Sequence, residues 1–446
     1  MSEQTKIIEK IVVQGTLHAV SPLLIGSGER EEAHDVDTYV LKNMDDIPFI
    51  PGTSLAGVLR SYVRSLSQDM EQHLFGWIDT KNQGRQSAVA ISDVLLQHAE
   101  IVQRDGVRID EYTQTAIKGA KYNYEVVEAG AQGTFSMTIT LRGVHAAYKT
   151  AIENMVENLV AYLRTGFSVG AQTTKGLGLV QIANVTGAYY DFSKPQDVMD
   201  WFLGKQPATI SKGAVKAEKT ADTFYVDAQF SLKSSLIIRD YDTKEQTKNG
   251  NEVHAVSKKS LDRYVIPGTS VKGVLRHQAM KCLRHLGLDE DDYMEKINQL
   301  MGFADGQGHK QKSRFYVQEI YLDKGVAEKE QTRNRIDRFT GGTIDTALFT
   351  TKPIWQQKQG EATVHMHYEI HQCKEWEAGL ALLLLRDLWI GRAALGGEKS
   401  IGRGTLQGVS ATITYQHKTY ELDAKGRVIK GDAAALNHFA SCVTQS

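Results

Sequence analysis

The stretch GSGEREEAHDVDTYV places Glu29, Glu31, Glu32, Asp35 and Asp37 in one loop ahead of Pro51. Carboxylates this close together can hold Mg²⁺, or one of them can take a proton or orient a nucleophile. An acidic loop that merely faces water is the plainer reading, and spacing alone leaves both open. Later in the chain Asp240, Asp242 and His254 share a loop without the Asp-Val-Asp pattern. The alternating run VHMHYEIHQC carries His365, His367, Glu369, His371 and Cys373 at strand spacing. Same-face strand positions can chelate zinc, but a polar outer face opposite Val364, Met366, Tyr368 and Ile370 explains the run equally well.

A second chemistry is anion binding. IPGTSLAGVLR and IPGTSVKGVLR each lead into an apolar helical pattern. Free N–H groups at a helix start, with hydroxyls beside them, suit a backbone phosphate. Gly57 and Gly273 would let another backbone approach, and Arg60 and Arg276 lie one turn further on. A well-capped helix with a glycine for packing is the competing reading. The loops GAQTTKGLG and GGEKSIGRG, with Lys175, Lys399 and Arg403, could likewise cradle phosphates, or serve as plain turns. Neither is GxxxxGK[ST], so P-loop hydrolysis is unsupported, and no GxSxG or dinucleotide fingerprint stands out.

These segments recur in one order, which reveals an internal duplication. Pro51 answers Pro267 within PGTSxxGVLR, and Leu74-Phe75-Gly76 answers Leu300-Met301-Gly302. Arg108-Ile109-Asp110 answers Arg335-Ile336-Asp337, and the glycine loop ending at Gly178 answers the one ending at Gly404. The second copy is about ten residues longer between its helix and its Arg-Ile-Asp segment. The seam falls in GKQPATISKGAVKAEKT, where apolar periodicity stops. The expected division is a first domain over 1–208, a linker over 209–220 and a second domain over 221–446.

Each copy opens on an alternating strand (Ile11–His18; Phe224–Leu232), followed by a helix after PGTS (Ser54–Leu66; Ser270–Leu286) with Thr and Ser as natural N-caps. Next come a strand (Ser87–Val94; Arg314–Leu322), a loop bearing Arg-Ile-Asp, and another strand (Gly133–Arg142; Ala362–Ile370). A helix (Tyr148–Thr165; Glu375–Gly391), the glycine loop and a last strand (Leu179–Val185; Thr405–Thr414) complete the copy. The order β-α-β-β-α-β with long insertions predicts an α+β protein of two tandem ferredoxin-like domains.

Composition bounds the rest. Of 446 residues, 41% are hydrophobic and 24% charged, which excludes collagen-like, coiled-coil and low-complexity chains. The longest apolar run, at Leu382–Leu385, is too short to span a membrane, and the N-terminus has no signal core, so a cytoplasmic protein is expected. Cys282, Cys373 and Cys442 are scattered, which argues against a disulfide framework. Basic residues number 52 and acidic ones 53; this rules out a uniformly basic coat but not local basic patches such as the loops Lys244–Arg263, Gly306–Arg314 and Arg333–Thr343.

LLIGSGE, VDTYV, IPGTSLAGVLR, LFG, RIDEYT or NRIDRFTGG, and the terminal glycine loop, in that order and twice over, resemble the RAMP superfamily of CRISPR-associated RNA-binding proteins. The nearest resemblance is a tandem fusion of two backbone subunits of type III effector complexes, type III-D-like. It implies RRM-like palm domains with β-hairpin thumbs, stacked along a CRISPR RNA beside other complex subunits, and cleavage of a complementary single-stranded target RNA. The family's catalytic aspartate falls on Asp37 here, with Asp35 beside it; Asp240 or Asp242 would substitute in the second copy, which lacks a clean match. Cleavage would use the neighbouring 2′-OH and Mg²⁺ or another divalent cation, not tightly bound, at Asp37. The RNA contacts implied are Arg108, Thr113 and Lys118 in the first thumb and Arg335, Arg338 and Thr340 in the second. Guide phosphates would meet Ser54, Arg60 and Lys175, and Ser270, Lys272, Arg276, Lys399 and Arg403. The lysine common after the family's PGSS is Ala56 in the first copy. A purely architectural RNA-binding subunit and a precursor-processing endonuclease are the alternatives.

Overall fold

The computed structural model describes residues 3–28, 36–81, 83–110, 112–113, 115–205, 208–209, 221–240, 243–247, 250, 252–304, 308–322, 324–345 and 347–443. They form two compact units. One comprises Met1–Val107, Gly119–Thr173 and Leu177–Glu218; the other comprises Arg108–Lys118, Thr174–Gly176 and Lys219–Ser446. Apart from Thr209, the expected linker lies outside the described residues.

The first half runs β1 (Ile7–Ala19), α1 (Gly52–Leu66), α2 (Gln68–Phe75), β2 (Val89–Ile91), β3 (Ile101–Ile109), β4 (Ala116–Val127), β5 (Gln132–Arg142), α3 (Lys149–Thr165) and β6 (Leu179–Asp191). Its palm sheet has the order β6-β1-β5-β2, all antiparallel. That is the ferredoxin-like order, with β1 between β6 and β5 and with β2 on the far side of β5. Alternation in β1 buries Ile11, Val13 and Leu17, and the register slips near Gly15, where a side chain would strike Ile182 and Ala183. Leu55, Leu59 and Val63 form the buried stripe of α1. β3 and β4 make the hairpin insertion.

The second half repeats the plan: β7 (Phe224–Leu232), α4 (Gly268–His285), α5 (Glu290–Met301), β8 (Phe315–Val317), β9 (Gln331–Arg333), β10 (Phe349–Thr351), β11 (Val364–Ile370), α6 (Glu375–Trp389), β12 (Leu406–Tyr415) and α7 (Ala433–Cys442). Its sheet order is β8-β11-β7-β12, extended by two short strands after β12. The strand expected over Arg314–Leu322 is broken, because β8 pairs with β11 whereas Ile320–Leu322 pairs with Arg263–Ile266. α6 is apolar nearly all round, since the palm core takes one face and α7 covers another. Gly379 permits that fit: a Cβ there would overlap the Phe439 carbonyl.

The helix starts differ from expectation. Both helices begin two residues early, at Gly52 and Gly268, with Pro51 and Pro267 as N-caps and no side-chain cap. In α1 the first N–H is instead served from a distance, the Gly52 N–H donating to Asp93 Oδ1 at 2.8 Å.

The polar face of β11 satisfies itself. His367 Nδ1 lies 2.7 Å from Asp227 Oδ1, while Glu369 bridges His367 at 3.6 Å and His371 at 2.7 Å. Burial alone would lower the His367 pKa, but the two carboxylates raise it to about 9. Burial would raise Glu369, but the imidazoles hold it near 2. A folded-state pKa above the unfolded value of about 6.5 stabilises below that value and loses the contribution as pH rises through the folded one. Unfolding of the second half should therefore become easier between about pH 6.5 and 9, by at most on the order of 3 kcal/mol. Urea titrations across that window check this, and H367Q should flatten the slope.

Candidate nucleic-acid interface

The two hairpin tips are built alike. In the first, Asp110 Oδ1 accepts the backbone N–H of Tyr112 (3.1 Å) and of Thr113 (2.7 Å) and the Thr113 hydroxyl (2.9 Å). In the second, Asp337 Oδ1 accepts the N–H of Phe339 (2.9 Å) and of Thr340 (2.8 Å) and the Thr340 hydroxyl (3.0 Å). These donors favour the ionised form, so both carboxyls sit below their usual range. Each turn turns an aromatic ring outward: Tyr112 is 63% exposed and Phe339 99%. Along the chain Arg108 precedes and Lys118 follows Tyr112, Arg335 and Arg338 precede Phe339, and all four are exposed. Thr113 and Thr340, expected as RNA contacts, spend their hydroxyls on the turn. The two rings are not among the residues singled out from sequence. Their signal is the shared pattern Arg-Ile-Asp-x-aromatic-Thr.

Gly57 and Gly273 answer the packing question. Nothing stands within 4 Å of a Cβ added at either. Glycine inside a helix costs about 1 kcal/mol relative to alanine, and no neighbour in the fold accounts for that cost. Ser54 and Ser270 lie partly exposed on the same first turns. Arg60 is turned inward to Glu71, which also holds Arg64 at 3.0 Å, and Arg60 donates to Gly76 O at 3.1 Å. Arg276 donates to Asn298 (2.8 Å) and Gly302 O (3.3 Å). Both arginines thus tie their helix to the next one.

At the start of α4 within the second unit, cations gather. Lys272 is 7% exposed and donates to Ser313 Oγ (2.8 Å), Phe315 O (2.7 Å) and Thr174 O (3.3 Å). Burial first, then Lys175 and Arg276, pull its pKa to about 7. Lys272, expected as a phosphate contact, thus spends its amine on acceptors within the fold. Lys175 is partly buried, and its pKa is lowered by that burial. Lys399 is exposed.

In the second glycine loop, Glu398 draws three guanidiniums: Arg239 at 3.2 Å, Arg333 at 2.6 Å and Arg403 at 3.3 Å. Burial would raise the Glu398 carboxyl, but these cations hold it below the usual range. One carboxylate cannot neutralise three arginines. Arg403, 2% exposed, also leaves Nη1 without a hydrogen-bond partner, as does Arg333 at Nε. The cluster thus carries surplus positive charge.

The acids divide. Asp37 is exposed and anchored beside β4: its N–H donates to Asn123 Oδ1 (3.0 Å), and its Oδ2 accepts the Asn123 N–H (2.8 Å). Asp240 is engaged by Lys258 at 3.5 Å and by the Thr243 hydroxyl at 2.8 Å. Asp35 and Asp242 lie outside the described residues. Among the described residues Asp37 belongs to no group of three or more His, Cys, Asp or Glu able to hold an ion. A cation at Asp37 would share its shell with phosphate and water, as Mg²⁺ accepts.

Comparison with known proteins fits this layout. The family described as the RAMP superfamily matches residues 16–181 and again 219–407. The chain belongs to the RAMP superfamily. Its two matched regions fall one in each half of the duplication. No curated protein matches. Among solved structures, one chain of "Type III-B Cmr-beta Cryo-EM structure of the Apo state" aligns at 12% identity and a TM-score of 0.32, over 38% of this RAMP chain and 96% of its own length. No helix among the described residues of this RAMP protein is long and apolar enough to cross a membrane.

Proposed function

We propose that this RAMP protein is a double backbone subunit of a type III CRISPR effector complex. It would hold CRISPR RNA, pair it with single-stranded target RNA, dock other complex subunits and cut the target at its first half. The observation that carries the reading is the hairpin tip built twice, with an exposed aromatic ring and exposed basic residues nearby in the chain on an Asp-tied turn. A flat ring can stack on a base, and its cationic neighbours can meet the phosphates on either side; neither contact reads sequence, which suits a protein whose specificity comes from base pairing. The open glycines of α1 and α4 and the arginine surplus around Glu398 supply the backbone-binding part.

Cleavage is assigned to Asp37. The 2′-OH of a splayed nucleotide attacks the adjacent phosphate, Asp37 accepts the hydroxyl proton, and the P–O5′ bond breaks with the 5′-oxygen taking a proton from water, giving a 2′,3′-cyclic phosphate and a 5′-hydroxyl. A splayed nucleotide puts the hydroxyl in line. A divalent cation held loosely by Asp37 and the phosphate would offset charge on the phosphate. Asp240, tied to Lys258, is poorly placed for the same task.

The protein should copurify with a uniform short RNA sharing one repeat-derived end. Y112A/F339A should lower its affinity for that RNA by about tenfold or more, at about 1–3 kcal/mol per lost base stack. Purification free of RNA, or binding indifferent to both rings, would remove the basis of the proposal.

A further inference from the structure

Beyond the RNA-binding surfaces, one group of side chains has the composition and spacing of a metal centre. Glu375 opens α6, and His438 and Cys442 lie four residues apart on one face of α7. Gly379, one turn after Glu375, lets α7 sit close against α6, so the carboxylate meets the His-x₃-Cys pair. One atom from each converges: Glu375 Oε2 is 3.5 Å from His438 Nε2 and 3.9 Å from Cys442 Sγ, and Nε2 is 3.7 Å from Sγ.

Those separations are informative. A point equidistant from three atoms spaced 3.5, 3.7 and 3.9 Å lies about 2.1 Å from each. Zinc takes oxygen and nitrogen at about 2.0–2.2 Å and thiolate sulfur at about 2.3 Å. An ion displaced slightly from the plane of the three, toward solvent, meets all three lengths with hardly any movement. Glu375 and His438 are exposed and Cys442 partly so, which leaves room for water as a fourth ligand. Without metal the carboxylate and the imidazole form an ion pair and the thiol hydrogen-bonds to them, an arrangement that a zinc ion could replace with little movement. The donor set is mixed N, O and S, which suits zinc and excludes the hard cations calcium and magnesium.

We infer that Glu375, His438 and Cys442 form a zinc site that fastens the C-terminal helix to α6. Binding deprotonates the thiol: the Cys442 S–H bond breaks, a Zn–S bond forms, and the proton passes to solvent. The three ligands join α6 to α7 and include none of the residues proposed for cleavage, so the role inferred is to hold the two helices together, independent of Asp37.

The test is metal titration of the full chain after chelator treatment. One zinc per chain is expected, with release of a proton and a rise in melting temperature. Cobalt(II) should give the near-ultraviolet thiolate charge-transfer band. C442S should abolish that band, and C442S or H438A should weaken zinc binding at least tenfold; E375Q should weaken it less. Circular dichroism of each metal-free variant confirms that it is folded, and C282S, at a buried cysteine outside this cluster, serves as the reference. Absence of stoichiometric zinc at micromolar concentration, or retention of the cobalt band in C442S, would overturn the assignment and leave a surface ion pair only.

Discussion

D37A in the assembled complex is expected to abolish one set of target-RNA products, a loss of about 10²–10⁴ in rate, while guide RNA stays bound. The expectation rests on two contrasts in the structure. Asp37 is exposed and fixed in place by the Asn123 backbone N–H, whereas Asp240 is paired with Lys258 and capped by Thr243. Lys258 and the Thr243 hydroxyl already occupy the Asp240 carboxylate, so D240A should leave the product pattern unchanged. D37N separates chemistry from architecture. The amide oxygen can still accept the Asn123 N–H, so binding and fold are kept, but the amide cannot take a proton. Loss of cleavage in D37N with binding intact supports the base role. Cleavage unchanged in both variants would make the chain architectural, and guide loss in D37N would mark Asp37 as a structural residue of the hairpin base. The products should end in cyclic phosphate, which phosphatase and kinase sensitivity report directly.

The palm was legible in the sequence because strand alternation and the duplication point the same way. β7 spans Phe224–Leu232 as read, and β5, β11 and β12 fall within two residues of expectation. The helix starts were not legible, because they are decided at a distance: Asp93 serves the first N–H of α1 from another loop, and only the fold brings it there. The burial of Lys272 and Arg403 was not legible for a related reason. A lone Lys or Arg in a sequence reads as solvated, since burial is rare without partners. Here Ser313, Phe315 O and Thr174 O, or Glu398, Gln331 and Thr351, supply the partners from remote segments. Tyr112 and Phe339 stand at matching positions of the two halves, but a large aromatic side chain reads as core in a sequence, and only the turn shows that both rings face outward. The zinc candidate lies partly in the C-terminal helix, past the last repeated segment, so duplication offered no second copy to compare.

The repeated motif PGTSxxGVLR makes the sharpest demand, because its two glycines should respond oppositely to the same substitution. At Gly52 a Cβ would overlap the Ile91 carbonyl, and at Gly268 the Lys175 carbonyl. Both obstacles are backbone, which no rotamer change relieves, and Gly52 also carries the N–H that Asp93 accepts. G52A and G268A should therefore destabilise their halves by about 3 kcal/mol or more, in line with other severe overpacking. G57A and G273A meet no atom within 4 Å. Each should raise stability by about 0.5–1 kcal/mol through helix propensity alone. If those glycines are kept so that a sugar–phosphate backbone can lie against the helix, the more stable double variant should bind guide RNA at least tenfold more weakly. Thermal unfolding and filter-binding on one preparation separate the two effects. Greater stability with undiminished binding would take the RNA path off the α1 and α4 faces and leave the hairpin tips and the Glu398 arginines as its supports.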